Sequence, residues 1–289
     1  MTITVLGASG FIGSNLAEYF VARGELTQTP SREDLAAGHL PENLGDVFYC
    51  VGSDNWRDPS GLVEANFGLM QRVLDHGGFR SFIYLSSSRL YLGATETDEG
   101  ATLSIQPTDP GRLYNAAKIL AETYCLGLAD DRVKVVRLSN VVGIAPKAQF
   151  FLPVLIRNAL QLGRIRFSIA ETSTKDYVHI DDVVAFLHRM TGETRHRLYN
   201  FASGVGTNAG DIAKALRNLT GCEVVWEDGR QEISFPPLSI SRVTAEFGAP
   251  SPCNPIDYLP AMVEQYKNLL AKGSLEQASP MVTNSGCRR

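Results

Sequence analysis

The chain has little of what marks a specialised protein class. Its five cysteines, Cys50, Cys125, Cys222, Cys253 and Cys287, are odd in number and scattered, with no Cys-x-x-Cys pair. That pattern supports neither a disulfide framework nor a zinc site, no metal is expected, and a reducing cytoplasm is the expected location. No stretch approaches the ~20 apolar residues of a membrane span, and residues 1–20 lack the basic start and cleavage site of an export signal. Neither sign of charge dominates: Lys plus Arg is 27 and Asp plus Glu 31, a net charge of −4. There is no basic patch for nucleic acid and no acidic tail, so neither nucleic acid nor a membrane is an expected partner. Internal repeats are also absent. What is left, 289 residues of which 44% are hydrophobic, suffices for one large or two small domains with a sizeable core.

The beginning of the chain is the most informative stretch. Ile3 to Leu6 reads as a buried strand, Gly7-Ala8-Ser9-Gly10-Phe11-Ile12-Gly13 follows, and an amphipathic stretch continues to Arg23. Each glycine has a job: Gly7 allows a chain reversal, Gly10 lets backbone N–H groups approach a pyrophosphate, and Gly13 lets the helix lie close on the strand. The spacing G-x-x-G-x-x-G is a variant of the dinucleotide-binding fingerprint G-x-G-x-x-G. Gly7, Ser9, Gly10, Phe11, Ile12 and Gly13 are therefore candidate cofactor residues.

Glu25 to Thr29 reads as a second strand ended by Pro30-Ser31-Arg32. A carboxylate at this place suits the ribose of NAD, whereas a basic residue suits the 2′-phosphate of NADP. Ser31 and Arg32 point to NADP with NAD as the alternative, although Glu33 and Asp34 follow at once and a solvated turn is the plainer role for Arg32. Asp46 to Cys50 is the third strand, after which Val51 and the small Gly52 would lie beside a cofactor. Gly61 to His76 predicts an amphipathic helix, and Ser81 to Ser86 a fourth strand that delivers Ser87 and Ser88 at its C-terminal end. The polar stretch Gly93 to Asp109 reads as a loop, with Glu96, Asp98 and Glu99 as solvated charges. A helix from about Gly111 to Leu128 carries Tyr114 and Lys118 one turn apart on one face, and Val133 to Leu138 is a fifth strand ending at Ser139-Asn140.

This alternation predicts an α/β protein with a doubly wound parallel Rossmann sheet. Beyond Gly143 a smaller C-terminal α/β lobe for substrate is expected, with helices over 150–162, 208–219 and 257–271 and strands over 165–169, 197–202 and 223–226. Residues 175–182 lead into a further helix capped by Asp181 or Asp182. The expected Rossmann domain is 1–142 plus about 176–203, the substrate lobe about 143–175 plus 204–271, and 272–289 an expected disordered tail poor in apolar residues.

Ser87, Tyr114 and Lys118 suggest a chemistry. A tyrosine with a pKa near 10 is a poor base at neutral pH, but an ammonium one helical turn away and an oxidised nicotinamide would lower it by about 1 to 3 units. Tyr114 could then move a proton at a substrate oxygen while Ser87 holds that oxygen and Lys118 also binds the nicotinamide ribose. The cofactor would carry the hydride. His179 and the Asp181-Asp182 pair read as helix-start residues, Cys50 as a small buried hydrophobe, and Asp54 and Trp56 as loop residues that could touch substrate.

With these motifs in place the sequence resembles the extended short-chain dehydrogenase/reductases, the sugar-nucleotide epimerase/dehydratase group. The resemblance rests on GASGFIG (7–13), YLSSSRLY (84–91), YNAAK (114–118), RLSNVVG (137–143) and KDYVHIDDVV (175–184), and spans roughly residues 1–270. It implies catalytic roles for Ser87, four residues before Tyr91, and for Tyr114 and Lys118, with Ser88 as second choice to Ser87. It also implies that Asn140 lies near the diphosphate of a nucleotide-sugar substrate, that Asp176, Tyr177 and Asp182 are mainly structural, and that the chain forms a homodimer through its long helices. The family's dehydratases carry an Asp-Glu pair where this chain has Ser88-Arg89, so dehydration is not expected. The expectation is an NADPH-dependent reductase of a keto-sugar nucleotide, with an NAD-dependent epimerase as alternative and a non-catalytic dinucleotide-sensing module as a third reading.

Overall fold

In the computed structural model, residues 1–146, 150–250, 254–273 and 275 are described. The chain runs β1 (Thr2–Leu6), α1 (Phe11–Ala22), β2 (Leu26–Gln28), α2 (Arg32–Ala37), β3 (Gly45–Tyr49), α3 (Pro59–Val63), α4 (Leu69–His76), β4 (Phe79–Ser87), α5 (Leu113–Gly127) and β5 (Val133–Leu138). There follow β6 (Asn140–Val142), α6 (Phe151–Leu162), β7 (Arg164–Ile169), β8 (Thr174–His179), α7 (Ile180–Arg189), β9 (Leu198–Phe201), β10 (Gly206–Asn208), α8 (Ala209–Thr220), β11 (Glu223–Gln231), α9 (Ser241–Phe247) and α10 (Pro255–Ala271).

Six strands form one parallel sheet in the order β2-β1-β3-β4-β5-β9. Its middle strands are largely apolar because helices cover both faces, and every residue of β5 is buried, Lys134 and Arg137 included. On one face α1 and α7 bring Leu16, Phe20, Val183 and Leu187 against Val5, Ile83 and Val136. On the other, α4 and α5 bring Leu69, Met70, Val73 and Ala121 against Val47, Phe82 and Val135. Strand order departs in opposite directions from β1, so a crevice opens outside the carboxyl ends of β1 and β3, where this architecture receives ligands. The doubly wound expectation holds.

The remaining elements form a smaller unit with its own core. Here β10-β8-β6 and the pair β11-β7 meet α6, α8 and α10 around Leu155, Ile156, Phe167, Ile212, Leu216, Leu259 and Tyr266. Val243 of α9 packs with Val183 and Phe201 against the large sheet, whereas β6 and β8 pair with β10 in the smaller unit. Of the expected tail, 272–289, residues 274 and 276–289 lie outside the described residues.

Several local expectations change. Ser31 and Arg32 do not sit in a simple turn: Ser31 caps α2, its hydroxyl accepting from Asp34 N at 3.0 Å while the Asp34 carboxylate accepts from Ser31 N at 2.9 Å. The helix expected over 61–76 is interrupted by a π turn, Glu64–Gly68, around the buried Asn66. The Nδ2 of Asn66 donates to Leu62 O (2.9 Å) and Ser53 O (2.7 Å), tying the widened turn to the loop after β3. His179, and neither Asp181 nor Asp182, caps α7: its Nδ1 accepts from Asp181 N at 3.3 Å, and both aspartates lie in the first turn. Glu99 is not a solvated loop charge. It is buried, accepts from Asn200 N at 2.9 Å and pairs with Arg242, which pins the 93–109 loop to the far edge of the sheet.

Candidate active site

At the start of α1 the glycines are required by contact. Gly7 has a φ of +85°, and a Cβ there would lie 2.9 Å from Val51 N. A Cβ on Gly13 would lie 2.3 Å from Gly7 O, so nothing larger lets α1 approach β1. Gly10 N donates to Gly7 O at 3.0 Å, and α1 begins at Phe11 with no side chain capping it. Its first amides are thus directed at whatever anion enters the crevice.

That crevice is a cleft of about 500 Å3. Gly10, Phe11, Ile12, Gly13, Val51 and Gly52 line its dinucleotide side, and Ser87, Ser88, Tyr114, Lys118 and Asn140 line the opposite wall. Gly7, Ser9, Ser31 and Arg32 are outside this lining; Gly7 shapes the turn from behind, and Arg32 is exposed as the first residue of α2. Asp54 lines the cleft, whereas Trp56 stays on the surface, 36% exposed. Cys50 also lines it; burial pushes its thiol up to about 12, so it remains a neutral apolar contact.

Ser87 ends β4, Tyr114 stands in the first turn of α5 and Lys118 one turn further on, so a strand end and a helix face converge on one spot. Tyr114 hydrogen-bonds with Ser87. Lys118 is buried, its Nζ donating to Leu85 O at 2.7 Å and lying 5.8 Å from the Tyr114 ring centre. Burial raises the Tyr114 phenol above its ordinary value, and what opposes it is the Ser87 hydrogen bond followed by the guanidinium of Arg89, with Asp54 and Glu122 adding to the rise. Lys118 is itself pulled down to about 8 by burial, partly offset by Glu122. In the protein alone the ammonium does not bring Tyr114 below its usual range, since burial is the largest influence on both groups.

A stability prediction follows from Lys118. Its folded-state value lies below that of a free lysine, so between about 8 and about 10 the unfolded chain binds more protons. The Lys118 contribution to stability should therefore rise with pH across that window. The urea midpoint of the protein should rise relative to that of Lys118→Met as pH rises across it; midpoints that keep a constant separation would refute the shift.

Two contributors were not evident from the sequence. Asn66 Oδ1 is buried with no hydrogen-bond partner among the described residues, beside Gly52, where a Cβ would approach it to 3.3 Å. Ser86 Oγ is equally unpartnered in the cleft wall. Buried polar atoms without partners fit a site that completes its hydrogen bonds with a polar ligand, and with the glycine cradle they suit a dinucleotide. A polar residue in the middle of an amphipathic helix was the available signal for Asn66. At the far end Lys175 lines the cleft with its Nζ 5.1 Å over the Phe151 ring, and Asn140 Nδ2 donates to Asp176 O at 2.8 Å. A cation there suits a diphosphate, and the phenylalanine platform beneath it gave no sequence signal.

The model of the NAD dependent epimerase/dehydratase family matches residues 3–202. The chain belongs to this family. Similar members include a UDP-2-acetamido-2,6-beta-L-arabino-hexul-4-ose reductase of Pseudomonas aeruginosa, 27% identical over 207 residues that cover 67% of this chain and 50% of that protein. This chain thus spans about half the length of that reductase. A UDP-glucose 4-epimerase of Mycolicibacterium smegmatis is 26% identical over 265 residues, 76% of this chain and 83% of that one. Among solved structures, MoeE5 in complex with UDP-glucose and NAD superposes with a TM-score of 0.78 at 20% identity, covering 93% of this chain and 100% of that one. RMD from Pseudomonas aeruginosa complexed with NADPH gives a TM-score of 0.74 at 22% identity, over 93% and 100%. These structural matches carry the fold. Among the described residues no helix is long and apolar enough to cross a membrane, and no group of His, Cys, Asp and Glu could hold a metal ion.

Proposed function

We propose that the chain reduces a keto group of a nucleoside-diphosphate sugar with NADPH. The observation that carries this reading is the convergence of Ser87, Tyr114 and Lys118 on the wall of the cleft opposite the glycine turn. The dinucleotide, when bound, supplies the hydride that the carbonyl carbon accepts, leaving NADP+. The chain's residues manage the oxygen. Ser87 donates a hydrogen bond that orients it, and Tyr114 passes its phenolic proton to it as the C–O bond becomes single. Lys118 and the amides at the start of α1 hold the dinucleotide, and the smaller lobe, through Asn140 and Lys175, holds the diphosphate of the sugar nucleotide. Asp54 is the only carboxylate among the described lining residues, and Ser88 and Arg89 follow Ser87. Elimination of water would need a base beside the sugar that Arg89 cannot be. Turnover of NADPH with a keto-sugar nucleotide tests the reading; no consumption with any such substrate would sink it.

The alternative is an NAD-dependent epimerase, in which Tyr114 takes the proton and returns it; similarity to the 4-epimerases favours it. Protein that carries NAD and interconverts two sugar nucleotides without consuming added cofactor would decide for it. An intact Ser87, Tyr114 and Lys118 set weighs against a sensing module. For the choice of dinucleotide, Ser31 is committed to its helix cap, so Arg32 is the residue assigned to the 2′-phosphate. Arg32→Ala should lower the preference for NADPH over NADH about tenfold, a charge-assisted hydrogen bond's worth. An unchanged ratio of dissociation constants would cancel the assignment. A cytoplasmic homodimer acting in carbohydrate biosynthesis completes the reading; sedimentation of the purified protein tests the dimer.

A further inference from the structure

We propose that Arg89 is a positioning residue for Tyr114, a fixed cation that orients the phenol and carries the charge of its oxygen when the proton leaves. The inference rests on the reading of Tyr114 as the proton-transfer group, and it concerns a residue that the Ser87, Tyr114 and Lys118 set does not include.

Arg89 is built into the site from three directions. It lies in the tight turn Ser88–Tyr91 directly after β4, and its amide donates to Ser87 Oγ at 3.2 Å. Its carbonyl accepts from Asn115 Nδ2 on α5 at 3.4 Å. Its guanidinium donates to Gly111 O at 3.1 Å, in the turn that opens α5, and lies 5.3 Å from the Tyr114 ring centre. One residue therefore touches the serine, flanks the tyrosine and ties together the two segments that carry them. Arg89 is also among the residues that line the cleft.

The groups around the phenol decide why a second cation matters. Ser87 and Tyr84 face it from β4, Lys118 and Glu122 from α5, and Asp54 from the loop after β3. Glu122 is engaged by Arg137 at 2.6 Å. Lys118 is slightly more distant than Arg89, spends a donor on Leu85 O, and lies 4.6 Å over the Tyr84 ring. Its ammonium also loses its proton near pH 8, whereas a guanidinium keeps its charge throughout the working range. Arg89 is the cation that stays on. It opposes the burial that raises Tyr114, and it meets the negative charge left on the phenol in reduction or held there in oxidation.

The test reads Tyr114 directly. The full-length protein, Arg89→Gln, Arg89→Met, Arg89→Lys and Tyr114→Phe are labelled with 13C at the tyrosine Cζ and titrated by NMR, alone and with NADP+. The resonance absent from Tyr114→Phe reports the phenol. The expected result is a Tyr114 midpoint about one pH unit higher in Arg89→Gln and Arg89→Met than in the parent, with at least half the shift recovered in Arg89→Lys. The alkaline limb of NADPH turnover should move up by the same amount, which a merely structural role for Arg89 would not produce. An unchanged midpoint in either folded neutral variant overturns the proposal, as does a Tyr114 that stays protonated in parent and variants up to the pH of unfolding. Failure to bind any dinucleotide would sink the enzyme reading while leaving the titration readable, so the two failures are distinguishable.

Discussion

Tyr114→Phe should leave a folded protein that binds NADPH and turns over about a thousandfold more slowly. The substitution removes one oxygen from the cleft wall and keeps the ring on which Arg89 and Lys118 rest, at 5.3 and 5.8 Å from its centre. Packing of α5 is untouched, so the thermal midpoint should move little. What disappears is the proton that the new hydroxyl group needs, and positioned general acids contribute about 10² to 10⁴ in rate. The loss should appear in kcat with little change in the dissociation constant for NADPH, because the effect falls on the transition state. Retained turnover in a folded Tyr114→Phe chain would remove Tyr114 from the mechanism.

Gly13→Val should abolish dinucleotide binding and destabilise the fold together. A Cβ at position 13 would sit 2.3 Å from Gly7 O and 2.8 Å from Gly7 C, both backbone atoms of the turn that β1 holds in place. Neither can give way without moving α1 off the sheet. Overpacking of this kind costs about 3 kcal/mol, which for a chain of this size lowers the melting temperature by about 10 °C. Gly10→Ala is the informative contrast. Its Cβ would meet only Gly7 O, at 3.3 Å, a contact that a small shift relieves. It should therefore melt close to the parent while binding NADPH more weakly, since the methyl group occupies space that the pyrophosphate needs. Calorimetry and fluorescence titration on both variants check the pair. Wild-type binding by Gly13→Val would show that the turn holds no phosphate.

These two expectations start from residues that the sequence made legible. The glycine turn is read from local spacing because its constraint is local: seven consecutive residues make the turn and open α1. Tyr114 and Lys118 are legible for the same reason, one helical turn being a sequence distance. The central strands could be recognised because β-branched and other apolar residues dominate them, and β5 falls on Val133–Leu138 as expected, with Lys134 and Arg137 buried among its apolar residues.

What escaped reading depends on contacts distant in sequence. Glu99 sits in a loop of polar residues and becomes buried only because Asn200 N and Arg242 reach it from the far edge of the sheet. The short helix α2 has six residues, too few to show a period. Asn66 needed the π turn, and a π turn has no pattern of its own in sequence. The part of Arg89 in the electrostatics of Tyr114 escaped reading by the same limit. Lys118 is its neighbour along the helix, whereas Arg89, 25 residues earlier, reaches it only after β4 and α5 pack together. Burial, the largest influence on both Tyr114 and Lys118, is a property of the assembled cleft.

The central claim is that Tyr114 and a reduced dinucleotide act on the same carbonyl of a sugar nucleotide. Incubating the protein with NADPH deuterated at the transferable position and a keto-sugar nucleotide tests it most directly, with mass spectrometry of the product. The account predicts one deuterium on the carbinol carbon, one NADPH consumed per product, and neither in Tyr114→Phe. Sugar nucleotides interconverted with no deuterium gained and no NADPH lost would contradict it.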